Sequence, residues 1–291
     1  MKQRIITALI LAVILVPLLV LGEEFFLLVG IFATYVAGFE LLNMFSTSTP
    51  ALKKYRFTFP LFNVLLMVTH YFVFDGQLEL SFFLFMIIAM FVATQVICLS
   101  DKRLGMSAFG LFSTVLIYGG LFFACTCAIR NVSTVGLVTD AKYLGLWLMV
   151  YLFASTMITD IAAYFVGIKF GRHKLAPVIS PKKSIEGAVG GSIVGTLCGT
   201  GVMIAIEQYY NVAFFGHDNM VVNILLIVLL TLAVTVIGQV GDLVASKFKR
   251  EYGIKDYSKI FPGHGGILDR FDSILATGTF MYIVFLFIGI F

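Results

Sequence analysis

The sequence predicts an all-α polytopic membrane protein with about nine transmembrane helices, a cytoplasmic N-terminus and a functional site at the cytoplasmic border of the membrane. Three observations predict it. Of 291 residues, 60% are hydrophobic and only 12% charged, whereas ordinary soluble domains are about 25% charged. The mean hydropathy is +1.01. Apolar runs of spanning length recur along the chain, and the basic residues fall almost entirely on alternate connections.

A spanning helix needs about 20 mostly apolar residues. Nine segments meet that need: 5–21, 24–45, 57–74, 80–99, 106–129, 143–168, 187–207, 219–246 and 270–291. The first follows Lys2 and Arg4 and resembles a signal peptide. However, Leu18 to Leu21 fill its end, no small-x-small cleavage site follows, and a second span begins at once. It is therefore read as a membrane helix. The eighth is longer than a bilayer requires, so it tilts or extends beyond the membrane.

With the N-terminus cytoplasmic, 18 of the 20 basic residues fall on the cytoplasmic side and two, Arg130 and Lys142, on the other. A missed or invented helix would scramble this bias, which supports both the orientation and the odd number of spans. Residues 1–150 read as about five N-terminal membrane helices. Residues 151–291 read as a catalytic membrane region with two cytoplasmic connections, 169–187 and 246–270. The four cysteines, Cys98, Cys125, Cys127 and Cys198, lie inside apolar runs and read as small apolar residues.

The two connections carry the candidate chemistry. The stretch from Ser246 to Asp272 holds six cations, four acids, a histidine and the loop Pro262-Gly263-His264-Gly265-Gly266. Asp242 lies five residues before Lys247, within the membrane helix. A carboxylate there faces a polar cavity or a partner, and Gly238 and Gly241 would admit a backbone or a ligand close by. Asp269 and Asp272, three apart at a helix start, share one face. Taken singly, Asp242 fits a structural ion pair, and the other two fit the favourable charge at a helix N-terminus. Together, three carboxylates among cations suit Mg²⁺ bound with a polyphosphate, the carboxylates on the metal and the cations on phosphate oxygens.

Glycines such as Gly265 and Gly266 let backbone amides converge on an anion. An ordinary tight turn is the plainer reading of that loop. His264 could contact phosphate or base, or hydrogen-bond its own loop. In the first connection, Lys182 and Lys183 precede a helix for which Ser184 is the expected N-cap, with Gly187 at N3 and Glu186 in the first turn. A phosphate would suit that helix start, and topology or anionic lipid would explain the lysines equally well. Asp160 is deep in its helix and its role is open. Glu40 reads as an acid snorkelling towards the cytoplasmic end of its helix and is left outside the site.

At these residues the chain resembles the bacterial-type phosphatidate cytidylyltransferases, the CDP-diglyceride synthases. The elements that carry the resemblance are Ser246, Lys249-Arg250, Lys255-Asp256, Pro262, His264-Gly265-Gly266 and Asp269-Arg270-Phe271-Asp272. The segments Ser180 to Gly187 and Asp160 to Gly167 are similar to further landmarks, with Ser184 where Thr is more frequent. The resemblance is strong over 155–291 and generic before that.

It implies transfer of a cytidylyl group from CTP to phosphatidic acid, giving CDP-diacylglycerol and pyrophosphate in phospholipid biosynthesis. It implies an Mg²⁺-dependent centre with room for a second cation, a homodimer, membrane lipids as surroundings, no nucleic-acid partner, and a place in the cell inner membrane. The roles that follow make Asp242 and Asp269 metal ligands, and Asp272 a further ligand or anchor. Lys249, Arg250, Lys255 and Arg270 would bind the triphosphate or the lipid phosphate. Lys182, Lys183 and Ser184 would approach from the other connection, and Ser246, His264, Gly265 and Gly266 would contact substrate. Two alternatives stay open: a CTP-dependent transferase or kinase acting on another lipid or polyprenyl phosphate, and a transporter using Asp160 and Asp242. The absence of an internal repeat argues against the transporter.

Overall fold

Long apolar runs cannot leave backbone polar groups unpaired in lipid, so they close their hydrogen bonds within helices. A computed structural model describes residues 2–134, 143–211, 214–216 and 219–289 of the chain; Lys142 lies outside them. The helices are α1 (Lys2–Leu21), α2 (Glu23–Phe45), α3 (Pro60–Phe74), α4 (Leu80–Ser100), α5 (Ser107–Leu116), α6 (Phe122–Ala128), α7 (Leu144–Phe170), α8 (Ile185–Tyr210), α9 (Met220–Glu251) and α10 (Leu268–Phe287). A π-turn at Ile117–Leu121 joins α5 to α6. A small antiparallel hairpin, β1 (Lys174–Ala176) with β2 (Ser180–Ser184), stands between α7 and α8. The chain is an all-α polytopic membrane protein apart from this hairpin.

All nine predicted segments contain helix. Among the described residues, seven helical stretches are long and apolar enough to cross a membrane, with Ser107–Val132 counted as one. The remaining two are shorter. The 15 residues of α3 rise about 22 Å, less than the roughly 30 Å hydrocarbon core. In α1, the apolar part is Leu9–Leu21.

The chain forms two compact units. One is Met1–Ala128 with Phe248–Phe271; the other is Ile129–Lys247 with Asp272–Phe291. These do not follow the division at residue 150 read from the sequence, because the connection after α9 belongs with the first 128 residues.

In the first unit, Asn63 of α3 is fully buried. A Cβ at Gly38 or Gly120 would lie 2.6 or 2.9 Å from its amide group, so glycine is what lets α2 and the π-turn close on this polar side chain. Ring contacts Phe45–Tyr252, Tyr118–Phe248 and Phe123–Phe271, at centroid distances of 5.1, 6.0 and 5.7 Å, fix the connection after α9 within this unit.

In the second unit, α7 and α8 pack along Gly187, Gly191, Gly195 and Gly199. A Cβ at Gly187 would lie 2.7 Å from the Ala163 carbonyl oxygen, and one at Gly191 2.7 Å from that of Thr159. Small residues at every fourth position let membrane helices meet backbone to backbone. Gly241 of α9 stands against α10 in the same way, with the Asp272 carbonyl 3.0 Å from where its Cβ would be. Gln239 of α9 donates to Ser192 Oγ at 2.8 Å and to the Ala188 carbonyl at 3.2 Å, and Tyr151 and Thr231 hydroxyls pair at 3.0 Å.

Candidate functional site

Each unit holds one cluster of the predicted residues. In the second unit, Ser184 ends β2 and caps α8. Its backbone is extended (φ −118°, ψ 155°), and its Oγ accepts the Gly187 amide at 3.1 Å, as the sequence predicts. Glu186 in the first turn reaches back to the hairpin. It accepts the Arg172 and His173 amides at 3.0 and 3.2 Å and touches His173 Nδ1 at 2.6 Å. The connection 169–187 is therefore a braced hairpin, not an irregular loop.

That hairpin, α7, α8 and α9 enclose a cavity of about 570 Å³. Asp160, Lys182, Lys183, Gln239 and Asp242 bring polar groups to it, and Tyr164 and Ile168 line it from α7. Lys183 Nζ is ion-paired with Asp242 Oδ2, and the two side chains are 27% and 25% exposed. Lys183 Nζ is itself buried against Asp242, and the exposed part of the lysine is its stem. Asp160 thus joins Asp242 at one cavity, which its depth in the helix did not reveal. Ser246 is half-buried near the end of α9, and Asp272 Oδ1 accepts the amide of Ser273 at 2.8 Å.

In the first unit, Asp269 anchors the signature loop, residues 248–271 of the stretch that carries the family resemblance. Its side chain is 4% exposed. Oδ1 accepts Lys249 Nζ at 2.8 Å, and Oδ2 accepts the Tyr257 amide at 2.8 Å and the Gly266 amide at 2.9 Å. Lys249 is buried and also lies 5.3 Å from the Tyr257 ring centroid. The Gly266 amide, read from sequence as part of an anion cradle, is thus given to a side chain of the protein. Lys249, read as a phosphate ligand, is given to Asp269. Lys255 and Arg270 are exposed, as is Arg250, which donates to the Ile254 carbonyl at 3.4 Å. His264 is half-buried and its amide donates to the Phe261 carbonyl at 2.8 Å. Gly265 has φ +80°, and a Cβ there would lie 2.7 Å from Asp269 Oδ2, so glycine is required twice over.

Glu40, read from the sequence as snorkelling and left outside the site, does not snorkel. Its side chain is fully buried in α2. It accepts Ser258 Oγ at 2.6 Å and the Ile267 and Leu268 amides at 3.0 Å each. One signal was available: an acid within a membrane helix is costly without a partner. Its partners, 218 to 228 residues away, had no signal at all.

Among the described residues, no three His, Cys, Asp or Glu side chains are gathered closely enough to hold a metal by themselves. The donors present are carboxylate and amide oxygens at a partly open cavity. They fit a hard cation that completes its shell with substrate oxygens and water, the habit of Mg²⁺.

Comparison with known proteins agrees with the signature. The model of the Cytidylyltransferase family matches residues 2–288. The phosphatidate cytidylyltransferase of Bacillus subtilis (strain 168) is 32% identical over 286 residues, covering 97% of this chain and 96% of the relative. That of Staphylococcus haemolyticus is 36% identical over 278 residues, covering 94% and 95%. That of Staphylococcus aureus (strain COL) is 34% identical over 278 residues, with the same coverage.

Proposed function

The chain belongs to the cytidylyltransferase family, and on that premise we propose how its residues serve the reaction. It is a nucleotidyltransferase that joins CTP and phosphatidic acid into CDP-diacylglycerol and pyrophosphate. A phosphate oxygen of the lipid forms a bond to the α-phosphorus of CTP. The bond from that phosphorus to the bridging oxygen breaks, and pyrophosphate leaves with the electron pair. The nucleophile is already an anion, so positioning and charge neutralisation supply the catalysis.

The observation that supports this reading best is the cavity of the second unit. It sets Lys182 and Lys183 of β2 beside Asp160 of α7 and Asp242 of α9, and α7 leaves Tyr164 and Ile168 64% and 67% exposed. A polar pocket with an apolar flank suits a substrate that is half phosphate and half hydrocarbon. Lys182 and Lys183 bind phosphate oxygens there, and Lys183 exchanges Asp242 for substrate. Asp242 and Asp272 are the carboxylates that would hold Mg²⁺. Asp269, whose oxygens are taken by Lys249 and two amides of its own unit, holds the loop in shape instead. Bound Mg²⁺ supplies charge neutralisation on the phosphates. Lys255, Arg250 and Arg270, three of the exposed cations of the signature loop, take the polyphosphate.

The 18-to-2 division of the basic residues supports an N-terminus and two polar connections in the cytoplasm, where CTP is. The protein is an inner-membrane enzyme with its site at that border, and it works as a homodimer.

The test is product formation by purified protein in detergent, with each nucleoside triphosphate against phosphatidic acid and against a polyprenyl phosphate. CDP-diacylglycerol formed only from CTP and phosphatidic acid supports the reading. Turnover with the polyprenyl phosphate alone, or transfer of a single phosphate, overturns the choice of acceptor or of reaction.

A further inference from the structure

We infer that Glu40 is a positioning residue for the signature loop, a role that rests on the function proposed above. Three successive amides open α10 and its approach: Gly266, Ile267 and Leu268. The first donates to Asp269, and the next two donate to Glu40. Two internal carboxylates therefore fill the anion site that the glycines and the helix start create.

The loop closes on Glu40 from both sides. Ser258 donates to Oε1 from before the turn, and Ile267 donates to the same oxygen from after it. Gly266 lies so near Oε1 that any Cβ would collide with it. Glu40 is rigidly held, because α2 around it is packed by Ala37, Leu41 and Leu42, all fully buried. Its carboxylate thus transmits the position of a packed helix to residues 258–268. The exposed Arg270, the exposed Lys255 and the buried Asp269 take their places from that loop.

This differs from a general contribution to folding. Removal of one acceptor oxygen should free the Ile267 or Leu268 amide and loosen this loop, leaving the helices of the unit in place. The experiment uses full-length protein in detergent and compares wild type with Glu40→Gln, which keeps the size and loses one acceptor. Hydrogen exchange of the peptide covering 258–268 is read alongside kcat, both KM values and the thermal midpoint.

The expected result is exchange faster by about tenfold or more in that peptide only, with kcat lowered about ten- to hundredfold, as an orphaned buried amide implies. KM for CTP and phosphatidic acid should move less than about threefold. Unchanged exchange, or faster exchange with unchanged kcat, overturns the proposal. So does a fall in kcat that merely follows a lower midpoint and faster exchange throughout. If Glu40→Gln does not fold, Ser258→Ala, which removes one donor, is judged by the same pattern with smaller changes. A wild-type protein that makes no CDP-diacylglycerol would instead fail the functional reading, independently of the exchange result.

Discussion

Lys249 Nζ lies 2.8 Å from Asp269 Oδ1, with side chains 11% and 4% exposed, and Asp269 Oδ2 binds two backbone amides of the same loop. The pair is thus the internal hub of the segment that carries the signature. Its two members are not equivalent. Turning the carboxylate into an amide leaves one oxygen to serve either the buried lysine or the two backbone amides, whereas removing the lysine leaves the carboxylate with both amides.

Asp269→Asn should therefore cost more than Lys249→Met. Breaking a buried pair from the side that also serves the amides costs about 3–5 kcal/mol, against about 1.5–3 kcal/mol for one hydrogen bond to a charged group. Both variants should lose activity. Thermal unfolding in detergent gives the order, and equal destabilisation would contradict the asymmetry.

The glycines of the connection divide by their surroundings. Gly266→Ala should abolish turnover, because its Cβ would displace Glu40, an overpacking cost of about 1–3 kcal/mol centred on the loop. Gly253 has φ +67° with nothing within 4 Å of a Cβ, so Gly253→Ala costs only backbone strain, about 1 kcal/mol, and should stay active. Turnover per folded protein separates them.

Much of this was legible in the sequence. The cap at Ser184 followed from a hydroxyl, two preceding lysines and a helix start, all local. The membrane helices followed from composition and length. The hairpin did not, because strands of three and five residues bearing Lys174, Lys182 and Lys183 have no apolar alternation. Nor did the hub. Glycines read as open to an anion look the same in sequence whether the anion is a substrate or a buried side chain. Glu40 lies too far along the chain for any local pattern to link it to Ile267.

Ser184→Ala should lower stability by about 1 kcal/mol, the usual value of an N-cap, and free the Gly187 amide. A thermal midpoint unchanged from wild type would show that the cap carries no weight here.

The seam of α7 and α8 has no room at its glycines. Gly195 would drive a Cβ into Thr159, whereas Gly201 of the same helix has nothing within 4 Å. Gly195→Leu should prevent accumulation of folded protein. Gly201→Ala should be neutral or stabilising by about 0.5–1 kcal/mol. Size-exclusion profiles in detergent check both, and a normal profile for Gly195→Leu would contradict the close packing.

The role of Asp242 is read from pyrophosphate release by wild type and Asp242→Asn, each supplied with CTP, phosphatidic acid and Mg²⁺. Wild type should release pyrophosphate only with both substrates, and Asp242→Asn should lose at least about a hundredfold, the scale of removing a charge that acts on the reacting phosphates. The mutant should still elute as folded protein. Release from Asp242→Asn at the wild-type rate, or no release from folded wild type, would contradict this reading.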